Sequence, residues 1–218
     1  MMAPKLPPHD PARLRSVSEI KLAVRIDLWR FPFWEGHTRM GAFVPEWSAE
    51  ARDQVIGAVA KTFATDGLVV RHSDARLPVP WRPGRHALVE PLAIPDCEAR
   101  EDAAATSARL EVVAIQTVKT AGQRVFSVIA SLIDPAFWLM LPVMPIWLTA
   151  HAVGAGNTAI RFCLYEAGSP APAWAYGEWD HGGLDLRDPA NVEQLVGRAL
   201  EHYRAALAKG SVKAPTDK

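Results

Sequence analysis

The sequence predicts an α+β protein: a mixed or antiparallel sheet of about five strands, with two main helices packed on one face. Several short segments alternate apolar and polar side chains with the period of a strand, and two longer segments repeat apolar residues at helical spacing. The strands and helices do not alternate strictly along the chain, which distinguishes this pattern from a doubly wound α/β fold. With 218 residues, 49% of them hydrophobic, the chain suits one domain with its own core.

The front half of the sequence predicts a strand, a helix and a second strand. Residues 20–28 alternate apolar side chains with mainly charged ones, which is the pattern of a strand buried on one face. Apolar residues at helical spacing predict a helix over residues 49–65, with Ser48 as its N-cap and Gly67 at its end. A short apolar segment at residues 68–71 predicts the second strand.

The back half predicts three more strands and a long helix. Strand patterns occur at residues 109–118, 158–165 and 173–179, and a stretch rich in glycine and proline predicts a hairpin between the last two. Asp188 followed by proline marks the start of a helix, and an apolar stripe continues it over residues 189–208. The predicted order is therefore β-α-β-β-β-β-α, with an apolar insert between the third and fourth strands.

The two ends of the chain differ in composition from its middle. Residues 1–18 are rich in proline and residues 209–218 are mainly polar, so both are predicted to be disordered or loosely held. Residues 19–208 form the single predicted domain, and the apolar insert within it spans residues 125–157. The N terminus shows no signal peptide and no lipid-attachment cysteine. The sequence therefore predicts either a cytoplasmic protein or a chain that starts downstream of a removed export signal.

The insert at residues 125–157 is the most apolar part of the chain. Asp134 is its one charged residue, and Arg124 and Arg161 lie just outside it. A run with so little charge is a buried core, a membrane contact or a surface for a partner protein. Each of these alternatives implies a different kind of protein.

The three alternatives make different demands on the insert. A transmembrane helix would contain Pro142 and Pro145, each of which removes a backbone donor, and it would place the flanking strands on opposite sides of the membrane. Trp138 and Trp147 would also lie only about 14 Å apart along a helix, less than the ~30 Å core of a bilayer. The other two alternatives are a hairpin or short helical segment that enters an interface, and a segment that folds back over the sheet and completes the core.

We expect the middle of the insert to be the contact element, against a membrane surface or another envelope protein. Tryptophan favours the polar edge of an apolar phase, and large apolar surfaces with polar rims commonly mark contacts. The predicted contact residues are Phe137, Trp138, Leu139, Met140, Leu141, Ile146, Trp147 and Leu148.

Few polar residues stand out as candidates for chemistry. Asp180 and His181 are a candidate acid–base pair because a carboxylate can orient an imidazole, although adjacent residues of a strand point to opposite faces. A turn that leads into the last helix explains the same residues without any chemistry. The sequence predicts no catalytic residue, no cofactor and no metal ligand, since it contains no nucleophile elbow, phosphate-binding loop or zinc spacing.

Charge and cysteine content bear on the partners. Lys+Arg and Asp+Glu are equal at 24 each, which gives no electrostatic footprint for nucleic acid, so no nucleic-acid partner is predicted. An oligomer is compatible with this composition. Cys97 and Cys163 could form one disulfide, but the position of Cys163 in a strand favours a small buried side chain instead.

The C-terminal half carries a family resemblance. The strand that starts at Ala159, the strand Pro172-Ala-Trp-Ala-Tyr, and the turn Gly182-Gly-Leu-Asp-Leu-Arg-Asp-Pro before the last helix resemble a group of proteobacterial envelope proteins, often described as lipoproteins. The front half, with Asp66-Gly-Leu-Val-Val after its helix, is similar to the anticodon-binding-like domain at the front of periplasmic TolB proteins and in curli secretion lipoproteins.

The resemblance covers residues 20–207 and implies no enzymatic activity, no cofactor and no catalytic residue. The sequence departs from the group at two points. The hairpin here is Glu166-Ala-Gly-Ser-Pro-Ala-Pro where the group has Asp-x-x-Thr-Gly, and the chain has no lipid-attachment cysteine, so lipid anchoring does not carry over.

These patterns together predict a non-enzymatic, envelope-associated bacterial protein that acts through membrane or protein contacts of its insert. It would be periplasmic or membrane-associated if an export signal was removed, and cytoplasmic otherwise. The alternative is a soluble small-molecule-binding protein or hydrolase-like enzyme. Its pocket would lie under the insert, lined by Trp138, Trp147 and Trp174, with Asp180 and His181 at the mouth.

Overall fold

Six strands and two helices make up the described part of the chain. The computed structural model describes residues 14, 17–30, 42–73, 77, 97, 107–118, 157–181 and 184–209. The strands are β1 (Glu19–Arg30), β2 (Ala42–Phe43), β3 (Val69–His72), β4 (Ala108–Val118), β5 (Asn157–Tyr165) and β6 (Pro172–His181), and the helices are α1 (Pro45–Ala64) and α2 (Pro189–Lys209). The predicted α+β class is confirmed, and the two-residue strand β2 is the element that the sequence analysis missed.

The sheet is mixed and β1 organises it. The strand order is β2-β1-β4-β5-β6, and β3 also pairs with β1. Because β3 pairs with the first residues of β1 and β2 with its last two, these short strands share one edge of β1 and the sheet is five strands wide. β1 runs parallel to β3 and β4, whereas β5 and β6 are antiparallel to their neighbours.

Both helices pack on one face of the sheet, which we call the helix face, as the sequence predicts. Alternate strand residues and the apolar stripes of the helices form a single core there, and burial of each such side chain stabilises the fold by roughly 1.5–3 kcal/mol. Its members include Ile20, Leu22, Ile26, Leu28, Leu110, Val112, Phe162, Leu164 and Trp174 from the sheet and Val55, Val59, Phe63, Leu195, Val196, Leu200 and Tyr203 from the helices.

Leu14 also belongs to this core. The hydroxyl of Tyr203 in α2 donates a hydrogen bond to the Leu14 carbonyl oxygen at 3.3 Å, and the Leu14 side chain is only 1% exposed. The packed domain therefore reaches further toward the N terminus than the predicted boundary at residue 19.

The two helices differ in how well the sequence marks their first residue. For α2 the prediction is confirmed, since the helix begins at Pro189 and the Asp188 carboxylate accepts a hydrogen bond from the Ala190 N–H at 3.0 Å. For α1 the predicted N-cap is wrong, because the helix begins at Pro45 and Ser48 lies in its first turn. The Ser48 hydroxyl instead accepts a hydrogen bond from the N–H of Leu28 in β1 and donates one to the Val44 carbonyl.

The connection from β3 to β4 crosses the opposite face of the sheet, which we call the crossover face. The unit β1–α1–β3 moves the chain to one side of β1, and the next connection moves it back past β1 to β4. Because crossovers between parallel strands are right-handed, reversing the direction places the second crossover on the other face. Two described residues of this connection are found there. The Leu77 carbonyl accepts a hydrogen bond from Arg25 at 2.9 Å, and Cys97 is bonded to Cys163.

The crossover face is buried although it carries charged side chains. Asp27, Glu111 and Arg161 are 4%, 3% and 5% exposed. The alternation of β1 predicts a strand with one polar, solvated face, and the structure differs because the connection to β4 crosses that face. Strands β4 and β5 are therefore largely buried on both faces.

The disulfide between Cys97 and Cys163 corrects the preference for an unpaired, buried Cys163. Its sequence separation is 66 residues, and Cys163 is 6% exposed in the middle of β5. Sequence spacing could not reveal the pair, because the crossover that brings Cys97 to β5 depends on the strand order. The disulfide fixes the crossover connection on the sheet.

Removal of this disulfide should lower the stability of the domain strongly. A cross-link that closes a loop of this length restricts the unfolded chain by about 4 kcal/mol in the loop-entropy description. We expect the double variant Cys97→Ala/Cys163→Ala to lose up to that amount of the free energy of unfolding in urea titrations. Dithiothreitol should destabilise the wild type and leave the variant unchanged. Equal transition midpoints of the wild type with and without reductant would show that the two cysteines are not joined in solution.

Candidate functional site

The apolar insert connects two strands that pair directly with each other. β4 ends at Val118 and β5 begins at Asn157, and the register places Gln116 opposite Thr158. Facing residues of antiparallel neighbours have Cα atoms about 5 Å apart, so the connection leaves the sheet and returns to it at one point. It runs over roughly 40 residues, where a hairpin commonly uses 2–5.

This pairing bears on the transmembrane alternative for the insert. Neighbouring strands of one sheet lie on the same side of any membrane, so a connection that crossed the bilayer once could not join β4 to β5. Among the described residues, neither helix combines the length and apolar character of a membrane span. The eight predicted contact residues, Phe137, Trp138, Leu139, Met140, Leu141, Ile146, Trp147 and Leu148, lie outside the described residues.

Described aromatic side chains lie close to the place where the insert leaves the sheet. Trp29 is the last residue but one of β1, and its indole packs against Phe43 of β2 with ring centroids 5.6 Å apart. Phe43 is 44% exposed. Because Arg30 is opposite Val118 in the parallel pair, this aromatic pair lies at the same end of the sheet as the start of the insert.

Asp180 is placed in a structural cluster at this end of the sheet. Gln116, Thr158 and Asp180 follow one another across β4, β5 and β6 on the helix face. The Gln116 amide and the Thr158 hydroxyl both donate to the Leu184 carbonyl at 2.8 Å, and the Asp180 carboxylate accepts from the Leu184 N–H at 3.1 Å. The Gln116 amide oxygen also accepts from the Leu186 N–H at 3.1 Å. We call these three side chains the turn clamp.

The turn clamp accounts for Asp180 without an acid–base role. It holds the backbone that leads from β6 into α2, as in the structural alternative that the sequence analysis gave for this region. His181 is the last residue of β6 and directly follows Asp180, so the two residues belong to opposite faces of the strand. The His181 side chain itself lies outside the described part of the structure.

The turn held by the clamp is the Leu184-Asp-Leu-Arg segment that carries the family resemblance. The Asp185 carboxylate accepts hydrogen bonds from the Arg187 N–H at 3.0 Å and from the Arg187 guanidinium at 2.7 Å. The same guanidinium lies 4.9 Å from the centre of the Trp47 ring in α1, a cation–π contact. These side chains therefore join the turn to both helices. Gln116 and Thr158 had no signal in the sequence, because their partners come from a distant segment.

Trp174, which the enzyme alternative places in the lining of a pocket, belongs to the core of the helix face. Its side chain is fully buried in the core of the helix face. The Trp174 ring packs edge-on against Tyr203 at 5.6 Å, and its N–H donates to His202 Nδ1 at 3.2 Å.

A second polar cluster joins β6 to α2. The Glu178 carboxylate accepts two hydrogen bonds from Arg198, at 2.6 and 3.1 Å, and one from the Tyr176 hydroxyl at 2.7 Å. Burial and the hydrogen bond to Glu178 raise the pKa of Tyr176 to about 12. The tyrosine is therefore a neutral donor at physiological pH, and the cluster acts as a bridge between helix and sheet.

Ion pairs also occupy the crossover face. Arg25 lies 3.3 Å from Asp27, and Arg109 lies 2.9 Å from Glu111. The Arg109–Glu111 contact is an ion pair without hydrogen-bond geometry, since neither of the two atoms involved completes a hydrogen bond. Burial raises the pKa of Asp27, and the neighbouring Arg25 offsets only part of that effect. The carboxylates of Asp27 and Glu111 on this covered face therefore each have an arginine beside them.

A shallow cleft of about 420 Å³ lies at the opposite end of the sheet from the insert. It is lined by the start of β1, the start of β4 and the β5–β6 turn, including Glu19, Lys21, Ser107 and Glu166. The cleft is therefore not the pocket under the insert that the enzyme alternative requires. Within the described segments, no group of His, Cys, Asp and Glu side chains could hold a metal ion.

Comparison with known proteins identifies no relative of this chain. No family model, no curated protein and no solved structure matches the chain.

Within the turn clamp, Gln116 should contribute more to the stability of the domain than Thr158. Gln116→Leu would leave the buried Leu186 N–H without an acceptor, so we expect it to lower the free energy of unfolding by roughly 1–3 kcal/mol. The matched control is Thr158→Val, which removes one of two donors to the Leu184 carbonyl and should cost about 1 kcal/mol or less. Urea unfolding of both variants measures the difference, and an equal cost would contradict the assigned clamp geometry.

Two aspartates should give opposite pH dependences of stability. Arg204 lowers the pKa of Asp66 through a hydrogen bond, so the contribution of Asp66 is present above its unfolded pKa and is lost as the pH falls through its folded value. Burial raises the pKa of Asp27, so protonation favours the folded state and its contribution grows as the pH falls.

Urea unfolding between about pH 7 and pH 3 tests both aspartates against the wild type. The wild type should exceed Asp66→Asn by about 0.2–1 kcal/mol at pH 7, and this advantage should shrink in acid. The free energy of unfolding of the wild type, compared with that of Asp27→Asn, should increase as the pH falls over the same range. Parallel pH profiles for the two variants would contradict the opposite shifts.

Proposed function

We propose that this protein is a non-enzymatic, envelope-associated bacterial protein that acts by contact, through the apolar insert that joins β4 to β5. The insert contacts a membrane surface or another envelope protein through residues 137–148. The observation that carries the proposal is the direct pairing of β4 with β5, which makes the insert an elaboration of a hairpin.

The position of the insert supports a contact role. Closing a long loop costs little more than closing a short one, since each doubling of its length adds only about 0.6 kcal/mol. The sheet therefore tolerates the insert, but the apolar side chains of the insert still need to be removed from water. Long connections inside a compact domain are commonly functional. The exposed ring of Phe43 at the same end of the sheet adds apolar surface to that place.

The disulfide supports an envelope location. Disulfides form and persist in oxidising compartments such as the periplasm, and they are rare in the reducing cytosol of mesophiles. Cys97 and Cys163 are the only cysteines in the sequence, and the structure joins them. This observation favours the exported alternative over the cytoplasmic one.

The roles of the described polar clusters support a surface function over catalysis. The carboxylate of Asp180 serves the backbone of Leu184, and that of Glu178 binds Arg198 and Tyr176. Both clusters connect the sheet to α2. Their geometry explains the conspicuous polar residues of β6 as parts of the scaffold.

Flotation with liposomes and partitioning into detergent micelles test the contact role. We expect Trp138→Ser/Trp147→Ser to reduce the partition coefficient at least tenfold, because both indoles would leave the apolar phase. The free energy of unfolding should stay within about 0.5 kcal/mol of the wild type. Val69→Ser is the matched control, since Val69 is an apolar side chain 53% exposed on β3 and its loss should leave partitioning unchanged.

The opposite pattern would reject the proposal. If the double variant partitions like the wild type but unfolds at lower urea concentration, the two indoles belong to the core of the domain. If the wild type neither floats with liposomes nor associates with detergent or another protein, the insert has no external contact to make.

A further inference from the structure

The disulfide joins a buried cysteine to a more accessible one. Cys163 lies in the middle of β5 on the crossover face and is 6% exposed. Its neighbours across the sheet are Glu111 of β4 and Ala175 of β6, which are 3% and 0% exposed. Cys97 comes from the connection between β3 and β4 and is partly exposed. The two halves of the bond therefore differ in their access to solvent.

Access decides which sulfur of a disulfide a thiol attacks. The attacking thiolate bonds to one sulfur and expels the other as a thiolate. An attack on Cys163 would have to reach a side chain that is closed in by its neighbours on β4 and β6. An attack on Cys97 starts from the partly exposed half of the bond. Cys97 is therefore the sulfur that receives the nucleophile, and Cys163 is the leaving group.

The charged side chains around Cys163 favour its departure as a thiolate. Arg161 lies two residues earlier on the same face of β5, about 7 Å along the strand, and is 5% exposed. Glu111 opposes a thiolate, but Arg109 lies 2.9 Å from its carboxylate and offsets its charge. Among the described residues, two guanidinium groups and one carboxylate thus surround the sulfur. A guanidinium close to a thiolate stabilises it.

We propose that the bond between Cys97 and Cys163 is an exchangeable disulfide, which a dithiol opens at Cys97 while the domain stays folded. The first thiolate of the dithiol bonds to Cys97 Sγ, and Cys163 leaves as a thiolate beside Arg161 and takes up a proton. The second thiolate of the dithiol then attacks the first sulfur of the dithiol and expels Cys97. The dithiol is oxidised to a disulfide, and the protein disulfide is reduced to two thiols. This exchange goes beyond the proposed contact role and does not depend on it.

The kinetics of reduction test whether the folded domain reacts. The wild type is treated with dithiothreitol, quenched with N-ethylmaleimide and analysed by mass spectrometry. The rate should rise in proportion to the dithiothreitol concentration, and urea well below the unfolding transition should change it by less than about twofold. A rate that levels off with dithiothreitol, or that rises steeply with urea, would show that the domain has to open first and would overturn the proposal.

Two single variants test which sulfur is attacked. Cys163→Ser leaves Cys97 as the thiol, and Cys97→Ser leaves Cys163, so both variants lose the same cross-link. With oxidised glutathione, Cys97 should form the mixed disulfide at least about tenfold faster than Cys163, because a buried thiol is inert. Equal rates, or a faster reaction of Cys163, would overturn the assignment of Cys97.

Arg161 provides a test of the leaving group. Arg161→Gln should slow reduction by dithiothreitol about threefold or more, and Arg161→Lys should restore much of the rate. A purely structural loss would speed reduction instead, because the domain would open more often. Arg71→Gln is the matched control, since the Arg71 side chain is 68% exposed on β3. Unchanged or faster reduction of Arg161→Gln would overturn the stabilisation of the Cys163 thiolate. Liposome flotation enters none of these outcomes, so the exchange and the contact role fail separately.

Discussion

The parallel pairing of β1 with β4 is the constraint on which the rest of the structure depends. The two strands are in register from Ile20 and Ala108 to Arg30 and Val118, along nearly their whole length. A parallel neighbour cannot be reached by a tight turn, so the chain must cross the sheet to get from β1 to β4. It does so in two steps, first through α1 to β3 and then back past β1. Because both crossovers are right-handed, they cover opposite faces.

This constraint explains features that are distant in the sequence. The second crossover brings Cys97 to Cys163 and the Leu77 carbonyl to Arg25. It also buries the charged residues of the crossover face, where Asp27 and Glu111 are held beside arginines. Leaving one partner of such a pair alone in a buried site is costly, so these residues must be kept as pairs. The disulfide then fixes on the sheet the connection from β3 to β4, whose path is the reason that the buried charges need ion-pair partners.

The sequence predicts the elements better than it predicts what brings them together. Local signals sufficed for the alternation of residues 20–28, for the start of α2 at Pro189 and for the helical stripe that ends at Lys209. The start of α1 was misjudged because Ser48, a good N-cap by type, is used in a tertiary contact with the Leu28 N–H. The disulfide and the burial of Asp27 depend on strand order and crossover handedness, which no local pattern encodes.

The candidate site shows the same division between local and tertiary information. Asp180 stands out in the sequence as an acid beside a histidine. Its role in the structure is to accept a hydrogen bond from the Leu184 N–H, which the turn into α2 brings back to the end of β6. Gln116 and Thr158, which complete the turn clamp, look like ordinary strand residues until β4, β5 and β6 are aligned. Their register could be inferred only after the strand order is known. The insert is the exception, because its lack of charge is a property of the sequence alone.

The energetics of the insert connect these observations. Extending a hairpin turn to roughly 40 residues adds only about 2 kcal/mol of loop-closure cost. Exposing its large apolar side chains to water would cost far more, since each contributes roughly 1.5–3 kcal/mol when buried. The apolar side chains of a connection between β4 and β5 therefore have to be removed from water, either against the rest of the chain or against something beyond the end of the sheet. The sheet, stabilised by the disulfide and the turn clamp, fixes the place at which this connection leaves β4 and returns to β5.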